Sequence, residues 1–248
     1  MGIVRRGGIC VAVAATISAL AVGPALADPW GGLYVGVHAG GSWSDVDWTY
    51  ITGPADLGGP PGASVSQEHE GFIGGGQVGY EHRMNNIVAG VELSYSGGEG
   101  LQSETTTSPF EADETIRTDL NGLFTATAKL GLVLNDSWMI YAKGGYASAN
   151  ISVDTFDPDV FIGIVSAAAH TSERHNGWTI GGGFEYALSS NLTLGVEYAF
   201  IDLSSETHST LSLASDGLTF PYDIDVEPDN IQSVSLRLNF KLDGAAAP

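Results

Sequence analysis

The stretch Leu192-Thr-Leu-Gly-Val-Glu-Tyr-Ala-Phe200 decides the fold of this chain, because large apolar residues occupy every second position of it. Successive side chains of an extended strand point to opposite faces, so this period predicts a β-strand whose two faces meet different surroundings. The same alternation recurs along the chain. We predict eight such strands, at Trp30–Trp43, Glu70–Arg83, Asn86–Ser96, Leu120–Leu134, Trp138–Val153, Asn176–Leu188, Asn191–Leu203 and Asn230–Leu242.

Residues 1–27 have the layout of a secretory signal peptide. Arg5 and Arg6 form a basic start, an apolar stretch follows from Ile9 to Val22, and Ala25-Leu26-Ala27 is a small-residue cleavage pattern. The apolar part is too short to span a bilayer as a helix. We therefore expect export through a signal peptide that is cleaved after residue 27, and a mature domain at 28–248. A buried N-terminal helix is the alternative.

Composition narrows the possible functions. Cys10 is the only cysteine, and loss of residues 1–27 would leave a chain without disulfides or cysteine metal ligands. The same cleavage removes Arg5 and Arg6 from the nine basic residues, against 29 acidic ones. Because phosphate backbones are bound by basic patches, this surplus of acids argues against a nucleic-acid partner. The surplus is typical of a secreted or surface protein.

Strand length decides how the chain could meet a membrane. The part after residue 27 has no run of about 18 apolar residues, so no transmembrane helix is available. A closed β-barrel is the other structure that satisfies its backbone hydrogen bonds in lipid. A tilted transmembrane strand needs roughly 9–11 residues, and each predicted strand reaches that length.

The connections between the predicted strands alternate between short and long. Met84-Asn85, Asn135-Asp136-Ser137 and Ser189-Ser190 are tight and rich in turn-forming residues. Outer-membrane barrels have short periplasmic turns and longer extracellular loops in this rhythm, whereas a soluble sandwich has no reason to sort its connections by parity. We therefore predict long extracellular loops, at residues 44–69, 97–119, 154–175 and 204–229.

Charged residues inside the predicted strands share one face with small residues, and their neighbours on the other face are apolar. A Lys or Arg that faces lipid at the bilayer midplane costs roughly 2–4 kcal/mol, so we expect these groups to point inward and pair there. Eight strands leave an interior just wide enough for side chains to fill it, so the lumen should be plugged and conduct little. The expected polar lumen cluster consists of Glu92, Lys129, Lys143, Glu185, Glu197, Arg237, Gln77 and His38.

Aromatic residues on the opposite faces lie near the strand ends, as they do in the girdles at bilayer interfaces. A soluble sheet with one solvated, charged face is the alternative, and these aromatic residues disfavour it. They are Tyr80, Tyr95, Trp178, Phe184, Tyr186, Tyr198, Phe200 and Phe240.

Several motifs combine within the strands. They are Trp30-Gly-Gly-Leu-Tyr-Val-Gly-Val-His-Ala-Gly40, Gly75-Gly-Gln-Val-Gly-Tyr80, Tyr141-Ala-Lys-Gly-Gly-Tyr-Ala147, Gly177-Trp-Thr-Ile-Gly-Gly-Gly-Phe-Glu-Tyr186, Leu194-Gly-Val-Glu-Tyr198 and Arg237-Leu-Asn-Phe240. Together these motifs, which cover most of the mature chain outside the predicted loops, resemble the small eight-stranded outer-membrane proteins of alphaproteobacteria. That family is the outer-membrane immunogenic protein and porin-like group, with the architecture of OmpA and OmpX barrels.

The resemblance implies an all-β, antiparallel up-and-down transmembrane barrel in the outer membrane of a Gram-negative cell. It also implies outer-membrane lipid, lipopolysaccharide and the barrel-assembly machinery as partners. Barrels of this family end on an aromatic residue, but here Phe240 is followed by Lys241-Leu-Asp-Gly-Ala-Ala-Ala-Pro248. We expect this tail to be a periplasmic extension.

The predicted loops hold most of the acidic residues. Asp223-Ile-Asp-Val-Glu-Pro-Asp229 places carboxylates at alternate positions, and Asp154-Thr-Phe-Asp-Pro-Asp159 is a second acidic stretch. Clustered carboxylates can bind calcium, but neither stretch matches an EF-hand loop. A solvated acidic face is the favoured interpretation, and divalent ions that bridge these acids to lipopolysaccharide are the alternative. We predict no metal site and no cofactor.

An enzyme that acts on lipid would need a histidine beside a nucleophile. In a chain this rich in serine, a nearby Ser is expected by chance, and neither a nucleophile elbow nor a zinc-binding helix motif is present. We therefore predict no catalytic residues. The six histidines are His38, His69, His82, His170, His175 and His208.

Three functions remain open. The first is a structural barrel that supports envelope integrity and displays acidic loops outside the cell. The second is a surface adhesin or host-facing antigen that uses the same loops. The third is a narrow porin-like channel for small solutes.

Overall fold

Eight strands form a closed antiparallel ring in the computed structural model, which describes residues 28–52, 61–98, 102–105, 115–159, 165–214 and 217–242. Each ring strand pairs with the next one along the ring, and the last pairs with the first. The predicted eight-stranded up-and-down barrel is thereby confirmed. The ring strands are β1 (Gly32–Thr52), β2 (Ser64–Met84), β3 (Ile87–Gly97), β5 (Thr115–Asn135), β6 (Trp138–Asp159), β7 (Val165–Ala187), β8 (Leu192–Leu203) and β11 (Ile231–Lys241).

Three further strands extend the wall of the ring. β4 (Gln102–Thr105) pairs with β5. β9 (Glu206–Ala214) and β10 (Thr219–Pro228) form a hairpin between β8 and β11. β10 pairs with the upper part of β1, and β9 pairs with the beginning of β7. The hairpin therefore continues the wall past the ends of β8 and β11, and we call this second tier the upper wall.

The tight turns lie where the sequence predicts them. β2 ends at Met84 and β3 begins at Ile87, with Asn85 in the left-handed region at φ 57°. Asn135 Oδ1 accepts hydrogen bonds from the backbone N–H groups of Ser137 and Trp138 at the next turn. These turns and both ends of the described chain share one end of the barrel, which we call the turn end.

The segments predicted as long loops are mostly strand in the structure. Residues 44–52 belong to β1 and 64–69 to β2, while 165–175 belong to β7 and the range 204–229 contains β9 and β10. Residues 53–60, 99–101, 106–114, 160–164 and 215–216 of the predicted loops lie outside the described residues. The strands continue because the period of two persists in these segments, with the apolar residues moved to the other face.

The exchange of faces is clearest in β1. Val35 and Val37 point outward and His38 points inward in the lower part of the strand. Farther up, Asp47 is exposed while Trp48 is buried. Outward positions therefore change from apolar to charged along the strand, and inward positions change from polar to apolar. The lower tier presents an oily exterior, whereas the upper wall presents a polar exterior and encloses an apolar core.

Aromatic residues mark both limits of the oily exterior. Near the turn end, the Trp138 ring lies 4.8 Å from that of Tyr186, and at the upper limit the Trp178 ring lies 5.6 Å from that of Phe200. Trp178 and Tyr186 are eight residues apart on one strand, about 26 Å at roughly 3.3 Å per residue. At a strand tilt of about 35–45° this length corresponds to a height of roughly 20 Å, which is comparable with the apolar band of about 25 Å in transmembrane barrels. The exposed side chains Tyr80, Tyr95, Trp178, Phe184, Tyr186 and Tyr198 all point outward as predicted.

A bulge in β5 keeps the two tiers in register. The pairing of β5 with β6 shifts between Asn121 and Leu123, so Leu120 and Leu123 both point inward although three positions separate them. Gly122 occupies the extra position at φ +77°. Without this residue, the upper part of β5 would turn its apolar face to solvent.

Two apolar clusters close the ends of the lumen. The small cluster at the turn end surrounds Trp30, whose Nε1 donates a hydrogen bond to the carbonyl of Asp136 at 3.2 Å. The large cluster fills the upper wall. Its bulkiest members are Trp48, Tyr50, Ile116, Ile151, Tyr222, Ile224 and Ile231. None of the described residues forms a helix of the length and hydropathy that a membrane span requires.

Candidate functional site: the charged lumen

The inward positions of the lower tier bring opposite charges together. Lys129 Nζ lies 2.8 Å from Oε1 of Glu81 and 2.6 Å from Oε1 of Glu185. Lys241 pairs with the other carboxylate oxygen of Glu81. Thr193 donates a hydrogen bond to Glu185 at 3.3 Å. This half of the network ties β2, β5, β7, β8 and β11 together across the lumen.

A second group of ion pairs involves Lys143 and Arg237. Lys143 Nζ lies 2.8 Å from a carboxylate oxygen of Glu92 and 2.8 Å from one of Glu197. Arg237 pairs with the remaining oxygens of the same two carboxylates, through separate nitrogens. Each carboxylate therefore receives both a lysine and the arginine. The group joins β3, β6, β8 and β11.

Two tyrosines link the groups and fill the space beside them. Tyr34 donates a hydrogen bond to Glu92 at 2.6 Å, and Tyr141 donates one to Glu197 at 2.7 Å. The Lys129 ammonium lies 4.0 Å from the centre of the Tyr141 ring, which favours a buried cation. The tyrosines therefore satisfy carboxylate oxygens and cover a lysine with the same side chains.

The network is buried and balanced in charge. The side chains of Lys129, Glu81 and Glu185 are 1–2% exposed. Among the described residues, four carboxylates face four cations: Glu81, Glu92, Glu185 and Glu197 with Lys129, Lys143, Arg237 and Lys241. An unpaired buried charge carries a large desolvation cost, so each group depends on its partners.

His38 and Gln77 lie beside this network. His38 is the cross-strand neighbour of Arg237. Its Nδ1 donates to Oε1 of Gln77 at 2.7 Å, and its Nε2 accepts from the Ser96 hydroxyl at 2.8 Å. Gln77 donates in turn to Asn239 at 2.8 Å. These groups form a polar layer that uses its hydrogen-bonding capacity internally.

The Ser96–His38–Gln77 order resembles the arrangement of a catalytic triad, but its surroundings do not allow substrate binding. The adjoining cavity has a volume of about 40 Å³, which is room for a few water molecules. Ile73, Leu123 and Ile201 line this cavity and belong to the apolar core above it. An acyl substrate could reach Ser96 neither through the ion network below the cavity nor through the apolar core above it.

Comparison with known proteins fits this architecture. A family model described as "Outer membrane protein beta-barrel domain" matches residues 12–238. The chain belongs to this outer-membrane β-barrel family. Its oily lower exterior is therefore the lipid-facing surface of an outer-membrane barrel, and the charged lumen is the interior of its transmembrane part.

Curated relatives of this outer-membrane barrel come from Brucella. The 31 kDa outer-membrane immunogenic protein of Brucella melitensis biotype 1 is 28% identical over 177 residues, covering 70% of this chain and 71% of the relative. The protein of the same name from Brucella suis biovar 1 matches to the same extent.

Solved structures similar to the barrel include OprG from Pseudomonas aeruginosa and Neisserial surface protein A. OprG is 14% identical with a TM-score of 0.43, covering 87% of this chain and 99% of that chain. Neisserial surface protein A is 13% identical with a TM-score of 0.42, covering 85% and 97%. Ail from Yersinia pestis is 14% identical with a TM-score of 0.37, covering 84% and 99%.

The structure brings every residue of the expected lumen cluster together on the inner face of the outer-membrane barrel. Sequence reasoning missed Glu81 and Lys241, although both follow an outward aromatic residue, Tyr80 and Phe240, so that their parity places them inside. Lys241 belongs to β11 and to the ion network, so it is not part of a free tail. The remaining tail, residues 243–248, lies outside the described part of the chain.

A second polar cluster lies in the upper wall, where His175 of β7 meets His208 of β9. Their Nε2 atoms are 2.9 Å apart, and the ring centroids are 5.2 Å apart, so the rings point at each other almost in line. His175 Nδ1 donates to the carbonyl of Ser204 at 2.8 Å. His208 Nε2 therefore donates to His175 Nε2.

Both imidazoles are held neutral by their surroundings. Burial and the neighbouring His175 lower the pKa of His208 to about 4. Burial also lowers the pKa of His175, against the opposing effects of the Ser204 carbonyl and Glu206. The head-on geometry suits a hydrogen bond, whereas a shared metal would require lone pairs that converge at an angle. Within the described residues, no three His, Asp or Glu side chains gather as a metal site.

Proposed function

We propose that this protein is a non-conducting structural barrel of the outer membrane that displays an acidic upper wall outside the cell. The observation that carries the proposal is the double closure of the lumen. The ion network fills the transmembrane part, and the apolar core of the upper wall lies directly above it. A water-filled path for ions would have to break both layers.

The lumen supports a role in envelope integrity because it joins strands that are distant in sequence. Arg237 of β11 binds Glu92 of β3 and Glu197 of β8. Such cross-lumen bonds resist deformation of a thin-walled barrel, since bending the wall would separate buried ion pairs. The barrel would then act as a rigid element among outer-membrane lipid and lipopolysaccharide, inserted by the barrel-assembly machinery.

The acidic exterior supports surface display. Barrels of this class place short turns in the periplasm, which directs the upper wall outward. Only Arg117 and Arg174 are outward-facing bases among the described residues of the upper wall. The outward acids there are Asp45, Asp47, Glu68, Glu70, Asp119, Asp154, Asp202, Asp223, Asp225, Glu227 and Asp229. Acids close to the upper girdle lie at the level where divalent ions could bridge them to lipopolysaccharide.

Conductance in a planar bilayer tests the closed lumen. Purified protein should give no stable channels in molar KCl, while a well-characterised porin in the same bilayer should. A variant in which Arg237 and Lys143 are both replaced by Ser should open transient pathways at most, because the upper core still blocks the lumen. Stable, ion-selective channels from the wild-type protein would refute the proposal and favour the porin-like alternative.

A deletion strain tests the structural role. Loss of the protein should raise sensitivity to detergents and to large antibiotics, and wild-type protein expressed from a plasmid should restore resistance. Unchanged sensitivity in the deletion strain would contradict a role in envelope integrity.

A surface adhesin or host-facing antigen is the second candidate. It is favoured by the name of the Brucella relatives, which are called immunogenic, together with the solvent-exposed strands of the upper wall. Antibodies raised against the folded protein should bind intact cells if this surface is displayed, and no binding to intact cells would exclude this role.

A further inference from the structure

A group of apolar side chains interrupts the polar exterior of the upper wall near its distal end. Phe156 is 49% exposed, Leu211 60% and Leu213 57%. Ala168 and Pro221 are also exposed. We call these five residues the distal face.

The distal face is continuous across four strands. Phe156 of β6 pairs with Ala168 of β7, and Ala168 pairs with Leu213 of β9. Leu211 of β9 pairs with Pro221 of β10. Neighbouring strands lie about 4.8 Å apart, so the row spans roughly 14 Å. Contiguous exposed apolar groups of this kind mark interaction sites more often than isolated ones do.

The lipid of its own membrane does not explain this face. Ala168 lies ten residues above Trp178 of the upper girdle on the same strand, a distance of about 33 Å along the strand. A strand tilt of 35–45° reduces this to a height of about 25 Å above the girdle. Phe156 stands equally far above Tyr146 on β6. The distal face therefore lies well outside the hydrocarbon.

The charges around the distal face narrow the choice of partner. Asp154 precedes Phe156 by two positions on the same outer face, and Asp223 and Asp225 follow Pro221 on β10. Such a rim repels a second copy of the same acidic chain and also repels anionic lipid. It attracts a partner that carries basic groups beside its apolar ones.

The wall itself narrows the shape of the partner. At Phe156, Ala168 and Leu213 the strands of the distal face are paired with one another, and Leu211 pairs with Pro221, so the exposed apolar side chains stand on a paired wall. A partner that lies flat on this face contacts these side chains. An amphipathic helix offers an apolar stripe at i, i+3/i+4 and i+7, and about 14 Å corresponds to nine or ten helical residues at 1.5 Å per residue.

We propose that the distal face docks a cationic amphipathic helix of a partner protein, with its apolar stripe on Phe156, Leu211 and Leu213 and its basic groups against Asp154, Asp223 and Asp225. The inference goes beyond the proposed function and uses from it only that the upper wall projects outside the cell. Conductance and envelope integrity do not involve these side chains, so their tests succeed or fail independently.

The binding test uses the full barrel in nanodiscs of phosphatidylcholine and a fluorescent 18-residue peptide of Leu and Lys in helical spacing. Empty nanodiscs give the background from peptide–lipid binding. We expect saturable binding above that background, and a peptide in which Glu replaces every Lys should bind at least about tenfold more weakly. Equal binding of the two peptides, or none above background, would overturn the proposal.

Variants locate the binding site. Leu211→Ser with Leu213→Ser should weaken binding about tenfold or more, and Asp223→Asn with Asp225→Asn should weaken it several-fold at low salt and little at 0.5 M salt. Thr207→Ser with Ser209→Thr, on the same outer face of β9, is the matched control and should bind as wild type does. Wild-type affinity in the double Leu variant would contradict the assignment.

A second copy of the chain and anionic lipid are the other possible occupants of the distal face, and direct measurements distinguish them from a helix. Sedimentation of the wild-type barrel that reveals a dimer, lost in the double Leu variant, would assign the distal face to a second copy and overturn the proposal. Flotation with anionic vesicles that depends on Leu211 and Leu213 would assign it to lipid, with the same consequence. A cysteine placed at Leu211 that does not react with maleimide would mean that the chain itself covers the face.

Discussion

Arg237 is the residue through which the lumen network crosses the barrel. It contacts Glu92, 145 positions earlier, and Glu197, 40 positions earlier, and its side chain is 3% exposed. Its Nε has no hydrogen-bond partner among the described residues, so the two terminal nitrogens carry all of its pairing. Removal of this side chain would leave Lys143 as the remaining cation in contact with Glu92 and Glu197.

Replacement of Arg237 by Met should therefore destabilise the protein strongly. We expect a loss of about 3–5 kcal/mol in the free energy of unfolding, because breaking a buried ion pair leaves uncompensated charge. Urea titration of the barrel in lipid vesicles, followed by tryptophan fluorescence and by gel mobility of unheated samples, measures the loss.

Arg117 provides the matched control. Its side chain is 47% exposed and pairs with Asp119 at 3.0 Å. Replacement of Arg117 by Met should cost less than about 1 kcal/mol, as is usual for surface pairs. Equal losses in the two variants would mean that burial of the network contributes nothing to stability.

Within a strand that is recognised from the sequence, the alternation of side chains identifies which residues point into the lumen. Residues beyond the recognised part of a strand are missed. Glu92, Lys129 and Glu185 lie in the middle of predicted strands, and all three are buried inside the barrel. The partner of a given charge could not be predicted, because pairing across the lumen depends on the shear of the barrel and not on neighbouring sequence. Lys129 and Lys143 are cross-strand neighbours, yet they bind different carboxylates.

Among the elements, β5 contains one inserted residue that lets its upper part point apolar side chains inward and its lower part point polar side chains inward. Gly122 has φ +77°, and a Cβ built there would lie 2.1 Å from the hydroxyl of Tyr95. The bulge allows both Leu120 and Lys129 to point inward. An L-residue in this conformation costs roughly 1–2 kcal/mol.

Gly122→Ala should accordingly lower the free energy of unfolding by about 1–2 kcal/mol. Because the Tyr95 side chain can move, most of this loss should persist when Tyr95 is also replaced by Leu. Gly97→Ala is the control, since a Cβ at Gly97 meets no atom within 4 Å. Unfolding midpoints of the three variants measure the effect, and an unperturbed Gly122→Ala protein would contradict the strained bulge.

The junction between β7 and β9 should be sensitive to acid. His175 and His208 are held neutral with lowered pKa values, so the unfolded chain binds more protons than the folded one between about pH 6.5 and 4. Their contribution is complete above pH 6.5 and is lost as the pH falls towards 4. The negative charges of Glu206, Glu173 and Asp225 favour protonation of His175 and moderate the loss.

Hydrogen exchange locates this acid effect. Protection of residues 204–212, corrected for the intrinsic rate, should fall about tenfold or more between pH 7.5 and 4.5. Replacement of both His175 and His208 by Leu should remove the pH dependence. His170→Leu, at an exposed site beside Asp154, should leave it intact. Uniform protection across this pH range in the wild-type protein would contradict buried, titrating imidazoles.

The upper strands illustrate what a sequence pattern conceals. Val46, Trp48 and Tyr50 alternate with polar residues as regularly as Val35 and Val37 do, but they occupy the other face. The apolar outward pattern stops at the upper limit of the oily exterior, although the strand continues. Because the outward residues beyond that limit are charged, the continuation resembles a loop in the sequence. The tight turns were predictable because Asn85 and Asn135 have local conformational roles that need no tertiary context.

On the scale of the whole molecule, the two tiers form one continuous wall, with an apolar exterior on the lower tier and a polar exterior on the upper wall. The lower tier places charge inside and apolar groups outside, and the upper wall reverses this arrangement. A single cysteine can test the arrangement, since Cys10 is the only cysteine of the chain and can be replaced by Ser.

Cysteine labelling of intact cells should separate three positions. With a membrane-impermeant maleimide, Ser66→Cys should react, because Ser66 is exposed on the upper wall, and the 1%-exposed Thr118 position should not. Ser190→Cys at the turn end should react only after the cells are lysed. Labelling of Ser190→Cys on intact cells would mean that the turn end lies outside the cell, opposite to the proposed orientation. Rapid labelling of Thr118→Cys would contradict a filled upper core.

The carboxylates that cover the upper wall have a consequence for how the protein reaches its place. If the upper wall lies outside the cell, as proposed, each of them must cross the hydrocarbon once during biogenesis, and an ionised group there costs about 2.5 kcal/mol or more. Spontaneous insertion of the hairpins would add these costs together, so we expect insertion to need a catalyst that shields the carboxylates. Movement of the inserted barrel back towards the periplasm would carry the same carboxylates through the hydrocarbon without a catalyst. Once mature, the protein cannot slip back towards the periplasm.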